Sequence, residues 1–168
     1  MQNWSRSAVD RMATLLLPMN YGAIARPVLQ LTHDAALAIL NACVGRAEQL
    51  NAPVNIAIAS PGGRIIASIA MDDACFLSAE TAQNKALTAA SHRGDTREIP
   101  AAIVKDLAVA SGGKITGMAG GMPIWIGGQC VGGIGIGGAS DDADIDIAVF
   151  GITQVGGFVT REQSLPQQ

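Results

Sequence analysis

A chain of 168 residues, 49% hydrophobic and only 15% charged, is long enough for one domain with a real core and too short for two comfortable ones. Its net charge of −3 and its lack of a Lys/Arg cluster exclude the electrostatic footprint of a nucleic-acid binder, and no apolar run approaches the ~20 residues of a membrane span. So little charge on so apolar a chain leaves alanine and aliphatic surface to hide, which points to a homo-oligomer.

Residues 1–31 read as an N-terminal arm, with a short helix over 7–17 and prolines at Pro18 and Pro27. Asp10 and Thr14 interrupt its apolar patch, so it does not read as a secretory signal, and a cytoplasmic location is expected. Cys43, Cys75 and Cys130 are far apart, with no C-x-x-C pair and no histidine at zinc spacing; they read as reduced core residues, and no metal site is expected.

Thr32 caps a helix over 32–50 whose apolar stripe is Leu37, Leu40, Val44 and Ala47. Residues 54–59 alternate as a strand, with Val54, Ile56 and Ile58 on one side and Asn55, Ala57 and Ala59 on the other. The turn Ser60-Pro61-Gly62-Gly63 returns the chain as a second strand over 64–70. Ser78 is placed to cap a helix over 78–92 whose inner face is almost all alanine, with Asn84, Lys85 and Thr88 beside it. A polar loop over 91–99 leads to Pro100, which opens another helix to about residue 110. Residues 114–119 connect it to a hairpin over 122–136 turned by Gly127-Gly128. Ser140 then caps a last helix to about 155, its first turns crowded by Asp141, Asp142, Asp144 and Asp146. A polar tail follows over 161–168 and is expected to fray.

Gly133-Ile134-Gly135-Ile136-Gly137-Gly138 matches the dinucleotide fingerprint between a strand and a helix, but no second parallel strand follows and four early aspartates would repel a pyrophosphate. The same aspartates lack the glycine and glutamate of a calcium loop, so dipole stabilisation is the simpler role. His33 and His92 are the only imidazoles. Lys85, on an alanine-rich helix near a sheet, is expected to pair with Glu80 or Asp72, or to hold an anionic ligand.

The stretches VNIAIASPGGRIIASIAMDDA, AQNKALTAA and GGMPIWIGGQCVGGIGIGGASDDADIDIA together resemble, in order and separation, the GlcG/HbpS-like family, which includes the C-terminal domain of PduO. Ser60-Pro61 stands where an aspartate is common in such proteins. The resemblance implies an α/β (α+β) domain over 32–160: a profilin-like, five-stranded antiparallel sheet flanked by helices, with the fifth strand available from 114–119. It also implies oligomers, with sites near subunit interfaces, and a small-molecule ligand class that includes haem.

Two functions follow as expectations. The first is binding of haem or a related tetrapyrrole, with His33 or His92 as axial ligand, Met71 or Met122 as softer candidates, and Lys85 and Arg97 meeting propionates. The second is a small catabolic enzyme, an isomerase, hydrolase or decarboxylase. There Lys85 or Arg64 would clamp a compact carboxylate, Glu80, Asp72 or His92 would move a proton, and the Gly137 and Gly138 amides would stabilise an oxyanion.

Overall fold

A computed structural model describes residues 28–165; the arm as far as residue 27, with its expected short helix, lies outside the described residues. The elements are α1 (His33–Gln49), β1 (Asn55–Ala59), β2 (Ile65–Ala70), α2 (Leu77–His92), a 3-10 turn (Thr96–Glu98), α3 (Ala101–Ala110), β3 (Gly121–Ile126), β4 (Gln129–Gly137) and α4 (Asp141–Gln154). Both hairpins form as the sequence predicts, and they join through β1 and β4 into an antiparallel sheet of order β2-β1-β4-β3. Gly127 and Gly128 turn the second hairpin at φ +55° and +76°, angles that a side chain would strain.

The two faces of the sheet are built differently. Ile56, Ile58, Ile134, Ile136, Met122 and Ile124 pack on one face against Ile39, Cys43, Ile147 and Ile152 of α1 and α4. Each buried isoleucine contributes roughly 1.5–3 kcal/mol, so this aliphatic side supplies most of the hydrophobic stabilisation. The other face carries Ala57, Ala59, Gly133, Gly135 and Gly137, covered by α2 through Ala82, Ala86 and Ala90. A Cβ on Gly133 would lie 2.5 Å from the Ala90 amide nitrogen, so helix and sheet touch backbone to backbone. Room that the sequence left open above these glycines is filled by α2.

Local signals set most element ends. Thr32 accepts the Ala35 amide at 3.2 Å and Ser140 accepts that of Ala143 at 3.4 Å, both as helix caps. Pro123 sits in an edge strand, where a missing donor costs least. A bulge between Ile124 and Trp125 pairs Trp125 with Cys130, so that Val131 enters the aliphatic core while Cys130 turns toward the α2 side.

Several expectations need correction. Among the described residues the sheet has four strands, and 114–119 forms none. The reason is that side chains take its ladder groups: the Ile115 amide donates to Ser111, the Thr116 amide to Thr88, and the Met118 carbonyl accepts from Thr96 Oγ1. The buried stripe of α1 runs through Ala36, Ile39, Leu40, Cys43 and Ala47, which leaves Leu37 exposed one position off the face. Ser78 does not cap α2, which starts at Leu77; its hydroxyl instead accepts from Asn55 and donates to the Cys75 carbonyl. Cys75 is exposed rather than a core residue. The segment expected to fray is held as far as residue 165: Phe158 bridges Trp125, and Ser164 accepts the Gly128 amide at 3.0 Å.

Candidate functional site

Lys85 lies on the α2 face that meets β4, and its surroundings close around it. Its Nζ donates to the Ile136 carbonyl at 2.6 Å and to Asp144 Oδ2 at 2.9 Å, and both residues are buried. Asp144 Oδ1 also accepts the Ala139 amide at 3.2 Å. The partner is therefore Asp144 rather than Glu80 or Asp72, both of which are exposed. Asp144 is correspondingly more than a dipole-stabilising residue, because it ties α4 to α2 and to the end of β4. Either charge left alone at such burial would cost several kcal/mol, and the pairing offsets that cost.

The structure does not bring the remaining catalytic candidates together with Lys85. None of the clefts described below is lined by Lys85, Glu80 or Asp72. Gly137 is buried with its Cα facing Ser78 and Thr81 of α2, and Gly138, at φ +129°, sits against Pro53 and Val54. Arg64 is exposed beside the first turn.

Open space gathers instead around α3. No residue of this helix is buried, and among the described residues it packs on no other helix or strand. One side of it forms an apolar cleft of about 230 Å³ lined by Thr88, His92, Ile99, Ile103, Leu107 and Ile115. The other side forms a larger cleft of about 520 Å³ to which Arg97, Val104, Lys105, Thr116 and Met118 contribute. Ile99, Pro100 and Ile115 line both.

His92 ends α2 and borders the smaller cleft. Its Nε2 is 3.8 Å from Glu98, beyond hydrogen-bond range, so the imidazole keeps a ring nitrogen available. Arg97 is held by two bonds to Asp95 Oδ2, at 2.9 and 2.6 Å. That hydrogen bonding, with the charge of Asp95 and weaker help from Asp142 and Asp141, raises its guanidinium above the ordinary value. Lys105 forms no ion pair among the described residues. His33, by contrast, stands exposed beside Asp34 and lines none of these clefts. Met122 is in the aliphatic core, out of reach of any ligand, and Met71 lines a separate shallow cleft by Asn51 and Asp73. No group of three or more His, Cys, Asp or Glu is placed to hold a metal ion among the described residues. No helix among them is long and apolar enough to cross a membrane.

Most of the chain is similar to known proteins. Residues 31–153 match the family described as haem degrading protein HbpS-like. The corrinoid adenosyltransferase PduO of Salmonella typhimurium is 34% identical over 134 residues, 77% of this chain and 40% of the relative; PduO of Citrobacter freundii is 32% identical over 145 residues, 83% and 43%. The chain thus spans about two fifths of the length of these relatives. Among solved structures, a PduOC–haem complex is 30% identical with a TM-score of 0.72, covering 78% of this chain and 99% of that one. A double mutant of Streptomyces reticuli HbpS is also 30% identical, with a TM-score of 0.71 over 78% and 90% of the two chains. With the match running from Leu31, where the described core begins, through nearly all of α4, the chain belongs to the HbpS-like family.

Proposed function

We propose that this protein binds haem or a related tetrapyrrole in the clefts beside α3, where the His92 imidazole would hold its iron. The observation that carries the reading is the His92 imidazole, which borders an apolar cleft and makes no hydrogen bond among the described residues. A planar apolar macrocycle suits walls made of Ile99, Ile103, Leu107 and Ile115, and Lys105 with Arg97 would meet its propionates at the adjoining cleft. Among the described residues no helix or strand approaches α3 closely, so this part of the wall would have room to adjust to a ligand. Bound haem would supply an iron centre able to exchange ligands or an electron; the chain itself supplies the imidazole, the cations and the exclusion of water. The likeness to a PduOC–haem complex supports the ligand class.

The same reading includes a homo-oligomer with the site near a subunit interface. Val109 on α3 is 83% exposed and Phe76 at the start of α2 is 82% exposed, large apolar areas that a second copy would cover. Three unpaired cysteines are in keeping with a reducing cytoplasm.

Haemin titration tests the ligand. A saturable Soret shift is expected with the unaltered chain, lost or displaced in His92→Ala and retained in His33→Ala. No saturable shift, or a spectrum identical in His92→Ala, would overturn the assignment.

A further inference from the structure

α2 covers the glycine face of the sheet only as far as His92. Beyond its end lies a separate cleft of about 610 Å³, a size suited to a compact metabolite. Its floor is the cross-strand pair Trp125 and Cys130, brought to this side by the bulge at Val131. Arg93 enters from the end of α2, Arg161 from the docked C-terminal segment, and Gln129 and Gln30 from the rim.

Three observations set this cleft apart. Among the described residues no aspartate or glutamate lines it and neither Arg93 nor Arg161 forms an ion pair, so a chain of net charge −3 brings two guanidiniums together without an acidic partner among those residues. Trp125 is 8% exposed, and its indole N–H is the one buried side-chain polar group among the described residues without a hydrogen-bond partner. Arg93 itself is held at φ +64°, a left-handed angle that disfavours a side chain, in the helix-ending position where glycine is usual.

We infer that this cleft is a second ligand site, distinct from the clefts beside α3, and that it takes a small organic carboxylate held by the Arg93 and Arg161 forks with Trp125 beneath it. Guanidinium forks match the two oxygens of a carboxylate, and the enclosed indole N–H of Trp125, which can only donate, has no acceptor of its own among the described residues. The carbonyl end of α2 points toward the same space and disfavours an anion, which makes both guanidiniums necessary. Cys130 adds no opposing charge: burial raises its thiol, outweighing the lowering influence of nearby Arg93, and it stays protonated at neutral pH.

The test follows the Trp125 indole N–H resonance in a Trp4→Phe background, where it is the only indole, during titration with succinate, citrate and inorganic phosphate at constant ionic strength. A saturable shift with succinate or citrate is expected, weakened at least tenfold in Arg93→Gln and in Arg161→Gln and unchanged in His92→Ala, with folding checked by circular dichroism. Arg93→Lys, which keeps the charge and loses the fork, should fall between. The proposal is overturned if no carboxylate moves the resonance, if the response survives both glutamine variants, or if phosphate alone elicits it. It is also overturned if these arginines affect haemin affinity while neither carboxylate binds, since the cleft would then serve propionates.

Discussion

Lys85 and Asp144, 59 residues apart in sequence, form a buried ion pair with Nζ 2.9 Å from Oδ2, and the lysine also holds the last carbonyl of the aliphatic run in β4, that of Ile136. Removing one partner strands the other. Lys85→Met and Asp144→Ala are each expected to cost about 3–5 kcal/mol, and the double variant to recover a good part of the loss, because it leaves no lone buried charge. Urea denaturation of the four members of the cycle measures this; strictly additive losses would show that the two residues are not coupled.

The ion pair between Arg46 and Asp146 makes a contrasting case. It joins α1 to α4 at 2.7 Å, with Phe150 beneath the guanidinium at 5.6 Å, but both side chains reach solvent. Arg46→Ala should cost far less than Lys85→Met or Asp144→Ala, and that cost should shrink in high salt.

Glycines in this chain divide by what surrounds them. Gly135→Ala would put a methyl 2.6 Å from the Ala86 amide nitrogen, forcing α2 off the sheet, and should destabilise by about 3 kcal/mol or more. Gly45, inside α1, has nothing within 4 Å of where a Cβ would stand, so Gly45→Ala should stabilise by about 0.5–1 kcal/mol. Thermal midpoints moving in opposite directions would bear this out.

Burial pushes the Cys43 thiol from 9.0 up to about 12. Its folded form therefore keeps a proton that the unfolded chain gives up, so this contribution is whole below pH 9 and is lost as pH rises from 9 toward 12. Across that window stability should fall by roughly 1.4 kcal/mol per pH unit from this group, and Cys43→Ala should flatten the slope. Thiol labelling near pH 7.5 should modify exposed Cys75 first and reach Cys43 only on unfolding.

What could be read from the chain was what local physics decides. Thr32 and Ser140 cap helices because a hydroxyl before an apolar period accepts a free amide, and β1 shows its two faces because large and small residues alternate. His92 could be singled out because imidazoles are scarce, yet nothing in its spacing says that α3 will leave a cleft beside it. The Asp144 partner of Lys85 was missed because Glu80 and Asp72 are nearer in sequence, and only the crossing of α2 over β4 brings α4 close. Residues 114–119 looked available as a strand, but Ser111, Thr88 and Thr96 compete for their backbone groups through side chains. Arg93, Trp125 and Arg161 come from three elements and carry no common motif. The one signal that could have flagged them was an arginine, rather than a glycine, where a helix stops.

The antiparallel bridge between Trp125 and Phe158 leaves the sheet with unequal borders. Trp125 exchanges both backbone bonds with Phe158, at 2.8 and 3.0 Å, so β3 is sealed along part of its length while β2 keeps Ser68, Ile69 and Ala70 open to solvent. Among the described residues β3 gains an outer partner only at Trp125, and the rest of its edge, like that of β2, pairs with no further strand. A chain cut before Phe158 is therefore expected to leave the Trp125 end of that edge unpaired, which increased self-association of the truncated chain would reveal.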